Sequence, residues 1–276
     1  MKTFFALLTA CALLFTACGS DEEYRIGVIR HLNVVEDTLD KIYEKFDEDD
    51  DSRHENRRRI IFNSMIEMTA ALKAGQVDEI ATYEVVGNYL AAHNWDFDVT
   101  VNKFGLADAF CCAFRERDVA LKKEFNEALD GIISDGTLKQ LIKTYIVDAS
   151  HTDSLPAVEM PTFVNDEFDD NFEPPIRIGV TGDLPPLDYI SADGKPAGFN
   201  TALLAEISNR LKKNFVLVSI DGGSRFVALT SGQVDVVFWV IVPTYDDVPI
   251  DVDKPEGMIL TDPYFTDEIA HVRLKK

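Results

Sequence analysis

The sequence has few cysteines and little positive charge. Only four of its 276 residues are cysteine, and lysine and arginine total 27 against 48 aspartates and glutamates, for a formal net charge of −21. Because binding to phosphate backbones needs clustered basic side chains, this balance argues against a nucleic-acid partner. After the first twenty residues no apolar run is long enough to span a bilayer. The chain is nevertheless 46% hydrophobic, which is ample for a core and for two modest domains.

The cysteines that follow the N-terminal region are the neighbours Cys111 and Cys112, in the apolar stretch "ADAFCCAFR". Adjacent residues of a strand point to opposite faces, so a disulfide between these two is not expected. The pattern favours two small buried hydrophobic side chains. No His/Cys cluster has metal-ligand spacing, and the acidic run "DEDDD" (47–51) lacks the glycine and distal glutamate of a calcium loop. We therefore expect no metal and no cofactor.

The first twenty residues, "MKTFFALLTACALLFTACGS", resemble a bacterial lipoprotein signal. Lys2 precedes an apolar run, and "FTAC" ends at Cys18 in the position of the lipid-modified cysteine. The alternative "LTAC", which ends at Cys11, would leave a much shorter apolar core. The resemblance implies a signal peptide over residues 1–17 and a lipid anchor on Cys18. The other interpretation is an ordinary secretory signal with an incidental cysteine.

Two phrases occur twice, in the same order. "RIGV" stands at 25–28 and 177–180, and "ALKAGQVD" at 71–78 returns as "ALTSGQVD" at 228–235. Repetition at a nearly constant separation indicates two related structural units. We interpret the aspartates of both phrases as structural.

The segments between the repeated phrases alternate strand-like and helix-like patterns from residue 24 to about 146. Ser64 with Glu67 three positions on is typical of a helix start, and Gly75 of a helix end. "QVD" should then begin a buried parallel strand. A second such unit begins at Ile176. The order βαβαβ predicts an α/β fold with a parallel sheet and covering helices.

Residues 148–175 break this pattern. They hold eight acidic residues, four prolines and no lysine or arginine. A segment that repels itself and is interrupted by proline is predicted to be an extended linker.

The second unit contains motifs that resemble a known family. "PPLDY" (185–189), "DGKPAGF" (193–199), the repeated "ALTSGQVD" and "DPY" (262–264) are similar to the first lobe of family 3 extracytoplasmic solute-binding proteins. The resemblance implies an α/β fold of the periplasmic-binding-protein type II kind, with two parallel or mixed-sheet lobes and a cleft between them. Such proteins deliver small molecules to ABC-type importers.

The lobes stand in an unusual order. The chain stops where the family's first lobe passes to its second, and the front of the chain resembles that second lobe, so we expect a circular permutant. The alternative is a degenerate first copy fused to a truncated second copy. The predicted organisation is a signal peptide (1–17), a lobe-two-like domain (24–104), a return strand and helices packing on lobe one (105–147), the linker (148–175) and a lobe-one-like domain (176–276).

The family's residues for an amino-acid ligand are not kept. The position of the carboxylate-binding Arg holds Asp247, and that of the amine-binding Asp falls near Tyr83, beside Glu84. An acidic group in place of a cation would repel a carboxylate, so we expect a cationic or hydroxyl-rich ligand rather than a standard α-amino acid. Trp239 could equally be core, and His31 could lie at the surface. The candidate ligand-binding residues are Asp183, Tyr189, Trp239, Thr244 and Asp247 of lobe one, and His31, Asn33, Tyr83 and Glu84 of lobe two.

The resemblance favours a monomeric, lipid-anchored binding protein with an ABC permease or a membrane sensor as partner. A second hypothesis is a degenerate lobe pair that has lost its ligand and serves as a scaffold or sensor partner at the membrane. A third is a dehydratase-type enzyme on the same fold. Because no nucleophile with a neighbouring base is visible, we do not expect an enzyme.

Overall fold

The computed structural model describes residues 23–30, 56–101, 105–152, 157–163, 173–245, 248–249 and 256–275. The predicted signal peptide and the candidates Cys18, His31, Asn33 and Asp247 lie outside these ranges. Within them, no helix has both the length and the apolar composition needed to cross a membrane.

The described chain alternates strands and helices, as predicted. The strands are β1 (Tyr24–Ile29), β2 (Arg57–Phe62), β3 (Glu79–Tyr83), β4 (Phe97–Val101), β5 (Leu106–Arg115), β6 (Ile176–Val180), β7 (Asp183–Leu184), β8 (Asp188–Ile190), β9 (Pro196–Ala197), β10 (Phe215–Ser219), β11 (Val236–Tyr245), β12 (Val248–Pro249), β13 (Met258–Leu260) and β14 (Phe265–Leu274). The helices are α1 (Met65–Lys73), α2 (Glu84–His93), α3 (Val119–Ser134), α4 (Thr137–Ile142), α5 (Phe199–Leu211) and α6 (Arg225–Thr230).

Most strands form one continuous mixed sheet in the order β10-β6-β11-β5-β14-β3-β1-β2. β1 pairs in parallel with β2 and β3, and β6 with β10 and β11, whereas β5 and β14 pair antiparallel to their neighbours. We call the half built on β10, β6, β11 and β5 lobe one, and the half built on β3, β1, β2 and β4 lobe two.

β14 belongs to both lobes. Its first part, from Phe265 to Glu268, pairs with β5 of lobe one, and its second part, from Ile269 to Val272, pairs with β3 of lobe two. The chain crosses between the lobes a second time between β4 and β5. Two chain connections therefore join the lobes.

The repeated phrases build the same ion pair in each lobe. Arg25 at the start of β1 donates three hydrogen bonds to the Asp78 carboxylate, one from its backbone N–H (2.8 Å) and two from its guanidinium nitrogens (3.0 Å each). Arg177 at the start of β6 holds Asp235 in the same way, at 3.1, 3.0 and 2.8 Å. Each pair ties a strand to the loop that enters its parallel neighbour. The structural interpretation of both aspartates is confirmed.

The predicted boundaries of α1 are confirmed. The Ser64 hydroxyl accepts a hydrogen bond from the Glu67 N–H at 3.1 Å, and the helix ends before Gly75. Gly75 and its counterpart Gly232 have φ of +68° and +78°, where a side chain would be strained. The strands that follow, β3 and β11, begin one residue after the aspartates, so "QVD" forms the turn rather than the strand itself.

The predicted linker is not extended where it begins. Residues 148–151 form a 3₁₀ turn that continues the helical path after α4, and Ala149 is buried. Further on, the Asn214 side chain accepts from the Phe163 N–H (2.8 Å) and donates to the Phe163 carbonyl (3.2 Å). The 3₁₀ turn after α4 and the two hydrogen bonds between Phe163 and Asn214 outweigh the repulsion between acidic side chains on which the linker prediction was based.

Aromatic packing attaches the helices after β5 to lobe one. Phe125 of α3 lies between Phe114 of β5 (5.1 Å between ring centroids) and Phe215 of β10 (5.6 Å, stacked). Cys111 and Cys112 are both buried and form no disulfide with each other, as predicted.

Candidate functional site

Two candidate residues meet between the lobes. Tyr83 ends β3 of lobe two, and its ring lies edge-on to that of Trp239 of lobe one, at 5.7 Å between centroids and 87° between planes. Tyr83 also contacts Phe110 of β5 at 4.8 Å. Both candidates are almost fully buried, with 1% and 2% of their surfaces exposed. These rings therefore fill the space between the two lobes at this point.

The backbone at Trp239 has an unusual conformation. Its φ is +62°, and the register of β11 against β5 shifts between Val237 and Val240, as in a β-bulge. A bulky residue rarely adopts a positive φ, because its Cβ crowds the backbone. Such strain is often found where a fold must aim one side chain. Here it accompanies the placement of the Trp239 ring against Tyr83.

A buried cation lies beside Trp239. The Arg225 side chain begins α6, is 2% exposed, stacks 4.9 Å from the Trp239 ring and donates a hydrogen bond to the Trp239 carbonyl. Its Nε has no hydrogen-bond partner among the described residues. Burial lowers the pKa of Arg225 to about 10, against the opposing effect of neighbouring groups that include Asp188 and Asp183. Arg225 was not among the candidates named from the sequence, although a single arginine at the start of the apolar stretch "RFVALT" indicates a charged residue close to the core.

Asp183 and Tyr189 of lobe one face each other across β7 and β8. The Asp183 carboxylate accepts a hydrogen bond of 2.6 Å from the backbone N–H of Met65 in lobe two. Tyr189 is partly buried, and burial together with the nearby Tyr89 and Tyr145 raises its pKa to about 12. Tyr89 belongs to α2 of lobe two. Both candidates thus stand beside groups of the opposite lobe.

Glu84 and Thr244 have different surroundings. Glu84 begins α2 next to Tyr83, and its carboxylate accepts from the Asn88 side chain at 3.3 Å. Thr244 is buried and donates to the Ala107 carbonyl at 3.1 Å. It lines a cavity of about 680 Å³ on lobe one, whose lining includes neither Tyr83 nor Trp239. Ligand contact by these two residues stays a prediction.

Two buried carboxyls that the sequence did not single out face each other where β5 meets β14. Asp108 and Asp267 are directly opposite in the ladder, and are 5% and 7% exposed. Burial and the charge of Asp267 raise the pKa of Asp108 to about 7. Burial and Glu84 raise that of Asp267 to about 7, although the Val85 N–H donates to it at 3.0 Å. In the described ranges no group of three or more His, Cys, Asp or Glu side chains could hold a metal ion.

Two α/β lobes, two chain crossings and aromatic rings that meet where the lobes face each other make a two-lobed α/β architecture. The family model of bacterial extracellular solute-binding proteins, family 3, matches residues 176–247, a segment of lobe one. A search of curated proteins found no match.

Several solved structures share similarity with this chain. A zinc-bound ligand-binding component of an ABC-type import system from Staphylococcus aureus is 10% identical, with a TM-score of 0.42 over 90% of this chain and 65% of its own. A nutrient-binding protein from Burkholderia cenocepacia, bound to methionine, is 10% identical, with a TM-score of 0.38 over 91% and 84%. The reduced OxyR regulatory domain of Pseudomonas aeruginosa is 10% identical, with a TM-score of 0.42 over 91% and 88%. We draw no argument from similarity at this level.

Proposed function

We propose that this protein is an extracytoplasmic solute-binding protein that captures a small molecule between its lobes, for delivery to an ABC-type importer. The observation that carries the proposal is the meeting of Tyr83 and Trp239 from opposite lobes, next to the strands that join them. Ligands of two-lobed α/β proteins bind in the crevice between the lobes, which close by a hinge motion. The family match over lobe one supports the same function.

We propose a cationic or hydroxyl-rich ligand rather than a standard α-amino acid. Asp183 and Glu84 supply carboxylates near the junction of the lobes, and Tyr189, close to Tyr89, supplies aromatic surface of the kind that attracts cations. Asp247, by sequence, adds negative charge where the family has an arginine. The nine candidate residues named from the sequence remain the proposed ligand-binding set.

A ligand screen by thermal unfolding tests this function. The panel should contain polyamines, quaternary ammonium compounds, sugars, dicarboxylates and amino acids. A ligand at a hundred times its Kd stabilises by about 2.7 kcal/mol, a rise of roughly 5–10 °C for a chain of this size. We expect a cationic or polyhydroxylated compound to give this rise, and Tyr83→Ala to abolish it. Trp95→Ala is the control, because Trp95 is 80% exposed. Binding of dicarboxylates alone would contradict the proposed ligand class.

One observation favours a second function, a ligand-free scaffold or sensor partner at the membrane. The Tyr83 and Trp239 rings occupy the space between the lobes, and the Asp183 carboxylate accepts a hydrogen bond directly from the opposite lobe. If no compound in a broad panel stabilises a cooperatively folded protein, this second function becomes the better account.

We propose that Cys18 carries a lipid that anchors the protein to a bacterial membrane. The support is the signal-like sequence alone. Labelling with radioactive palmitate in a bacterial host should mark the wild-type protein and Cys11→Ser, but not Cys18→Ser. Equal labelling of both variants would refute the assignment.

We also propose that the lobes are circularly permuted. Val272 of β14 and Gly27 of β1 both lie opposite Ile80 of β3, one on each side, so the two strands are separated by two strand spacings, about 10 Å. β14 runs antiparallel to β3 and β1 runs parallel to it. The end of β14 and the start of β1 therefore lie at the same level, within reach of a short loop. This placement supports an ancestral connection between them.

A rearranged chain tests the permutation. It would run from Glu173 to Lys275, pass through a short Gly-Ser segment into Tyr24, and end at Phe163. We expect it to fold with an unfolding midpoint within a few degrees of the wild type. The matched control is the same joined chain opened inside α3, which should not fold. Equal failure of both chains would count against the permutation.

A further inference from the structure

Asp183 reaches from lobe one to the first turn of α1 in lobe two. Its carboxylate accepts from the Met65 N–H at 2.6 Å, and the neighbouring Ile66 N–H also favours its charged form. Asp183 is partly buried there, and its pKa is raised by burial against the lowering effect of these hydrogen bonds. The contact is between two lobes rather than within one, so it bears on whether the lobes separate.

Two N–H groups of the first turn of α1 have side-chain partners. Helix starts leave four N–H groups without partners, and these groups together with the helix dipole favour an anion. Asp183 accepts from the Met65 N–H and the Ser64 hydroxyl accepts from the Glu67 N–H, while the Met68 N–H donates to the Ser64 carbonyl at 3.2 Å as the first regular helical hydrogen bond. The protein thus supplies from its own lobe one the negative charge that this helix end attracts.

Other contacts surround this junction. The Gly222 N–H of lobe one donates to the Asn63 carbonyl of lobe two at 3.2 Å, and a Cβ at Gly222 would lie 3.0 Å from that oxygen. On the lobe-one side, the buried Arg225 guanidinium interacts electrostatically with Asp183. The Asp183 carboxylate is therefore attracted electrostatically by two positive features, the α1 terminus and Arg225.

We infer that Asp183 is a built-in carboxylate that closes the lobes on α1 and makes the junction reject small anionic ligands. A free carboxylate is the ligand that this helix end would take if Asp183 were removed. Asp183 is then a specificity-determining residue, because a ligand can bring a carboxylate here only by displacing it. This inference rests on the proposed solute-binding function, in which the lobes close on a ligand.

Chemical rescue tests the inference directly. Asp183→Ala should unfold at a lower temperature than the wild type, and formate or acetate should restore part of the loss at an ionic strength held constant with chloride. The wild type should not respond to either anion beyond the chloride control. Glu67→Gln is the matched control, because it removes one exposed negative charge from the same helix turn but leaves the contact between the lobes intact. An equal response of Asp183→Ala and Glu67→Gln to formate would overturn the inference.

A second variant covers the case in which Asp183→Ala does not fold. Asp183→Asn keeps the side-chain volume and removes the charge. Hydrogen exchange, resolved at the Met65 amide, should show its protection reduced about tenfold, as for loss of a hydrogen bond to a charged group. Unchanged protection in Asp183→Asn would overturn the inference.

The outcome is separable from that of the ligand screen. Rescue of Asp183→Ala by formate without any ligand for the wild type would support the closure of the lobes by Asp183, reject its role in ligand specificity, and favour the scaffold function. A wild-type ligand with no rescue would reject the inference and support the receptor function.

Discussion

Replacement of Asp108 by Asn should make the protein more stable at pH 8 and reduce the dependence of its stability on pH. Asp108 is 5% exposed and lies directly opposite Asp267 on the neighbouring strand. No described residue donates a hydrogen bond to it, so ionisation would leave a buried charge beside a second carboxyl. An Asn side chain of the same shape is uncharged and can donate to the Asp267 carboxylate.

The magnitude follows from the pKa of Asp108, which rises from 3.8 to about 7 in the folded protein. Between these pH values Asp108 keeps a proton in the folded state that it has released in the unfolded chain. The contribution of Asp108 to stability is therefore fully present below about pH 4 and is lost as pH rises through 7. Three pKa units correspond to about 4 kcal/mol at about 1.36 kcal/mol each. Because Asp267 shares the environment, we expect Asp108→Asn to recover about 2–4 kcal/mol at pH 8 and little at pH 4.5.

The assay is urea unfolding of wild type and variant at pH 4.5, 6 and 8, with the free energy of unfolding extrapolated to water. The control is Asp130→Asn, which removes an exposed carboxylate from α3 and should change the free energy by less than about 0.5 kcal/mol at each pH. A gain for Asp108→Asn of equal size at pH 4.5 and pH 8 would show that ionisation is not its cause. A loss of stability at pH 8 would refute the reasoning altogether.

Three further variants can be measured with the same assay. Arg177→Ala removes the two guanidinium hydrogen bonds to Asp235, keeps the backbone one, and should cost about 1–2 kcal/mol at pH 7, discounted for the partial exposure of the pair; no loss would contradict a structural role for the repeated phrases. Glu79→Gln should cost about 3 kcal/mol at pH 7 and little near pH 2, because its partners His271 and Arg273 outweigh burial and lower the pKa of Glu79 from 4.5 to about 2; the stabilisation from Glu79 is present above pH 4.5 and is lost as pH falls through 2. Phe125→Ala should cost about 3–5 kcal/mol at any pH in this range, since it empties the space between two rings, and a cost below 1 kcal/mol would show that α3 is not held by this packing.

Local features of the fold were predictable from the sequence because they depend on neighbours in the chain. The Ser64 cap, the glycine after α1 and the alternation of strands and helices all follow from short patterns. The repeated phrases predicted two similar units, and the structure adds that Arg25 and Arg177 are the reason their aspartates recur.

Features that depend on distant partners were not predictable. Asp108 and Asp267 are ordinary aspartates in the sequence, and only the pairing of β5 with β14 makes them a buried pair. In the sequence Arg225 is only a charged residue beside an apolar stretch. Its hydrogen-bond partner, the Trp239 carbonyl, lies in the bulge of β11, which the sequence does not reveal. For the candidate ligand-binding residues, the family resemblance indicated a location but could not show that Asp183 would bond to the opposite lobe.

The change of neighbours along β14 marks the place for a hinge. Glu268 is the last residue paired with β5, and Ile269 is the first paired with β3, so one peptide link separates the two lobes along this strand. The lobe closure that we propose requires a change of backbone conformation at this link. Asp267, whose pKa burial raises to about 7, lies one residue from the link, so we expect its ionisation near neutral pH to affect this connection.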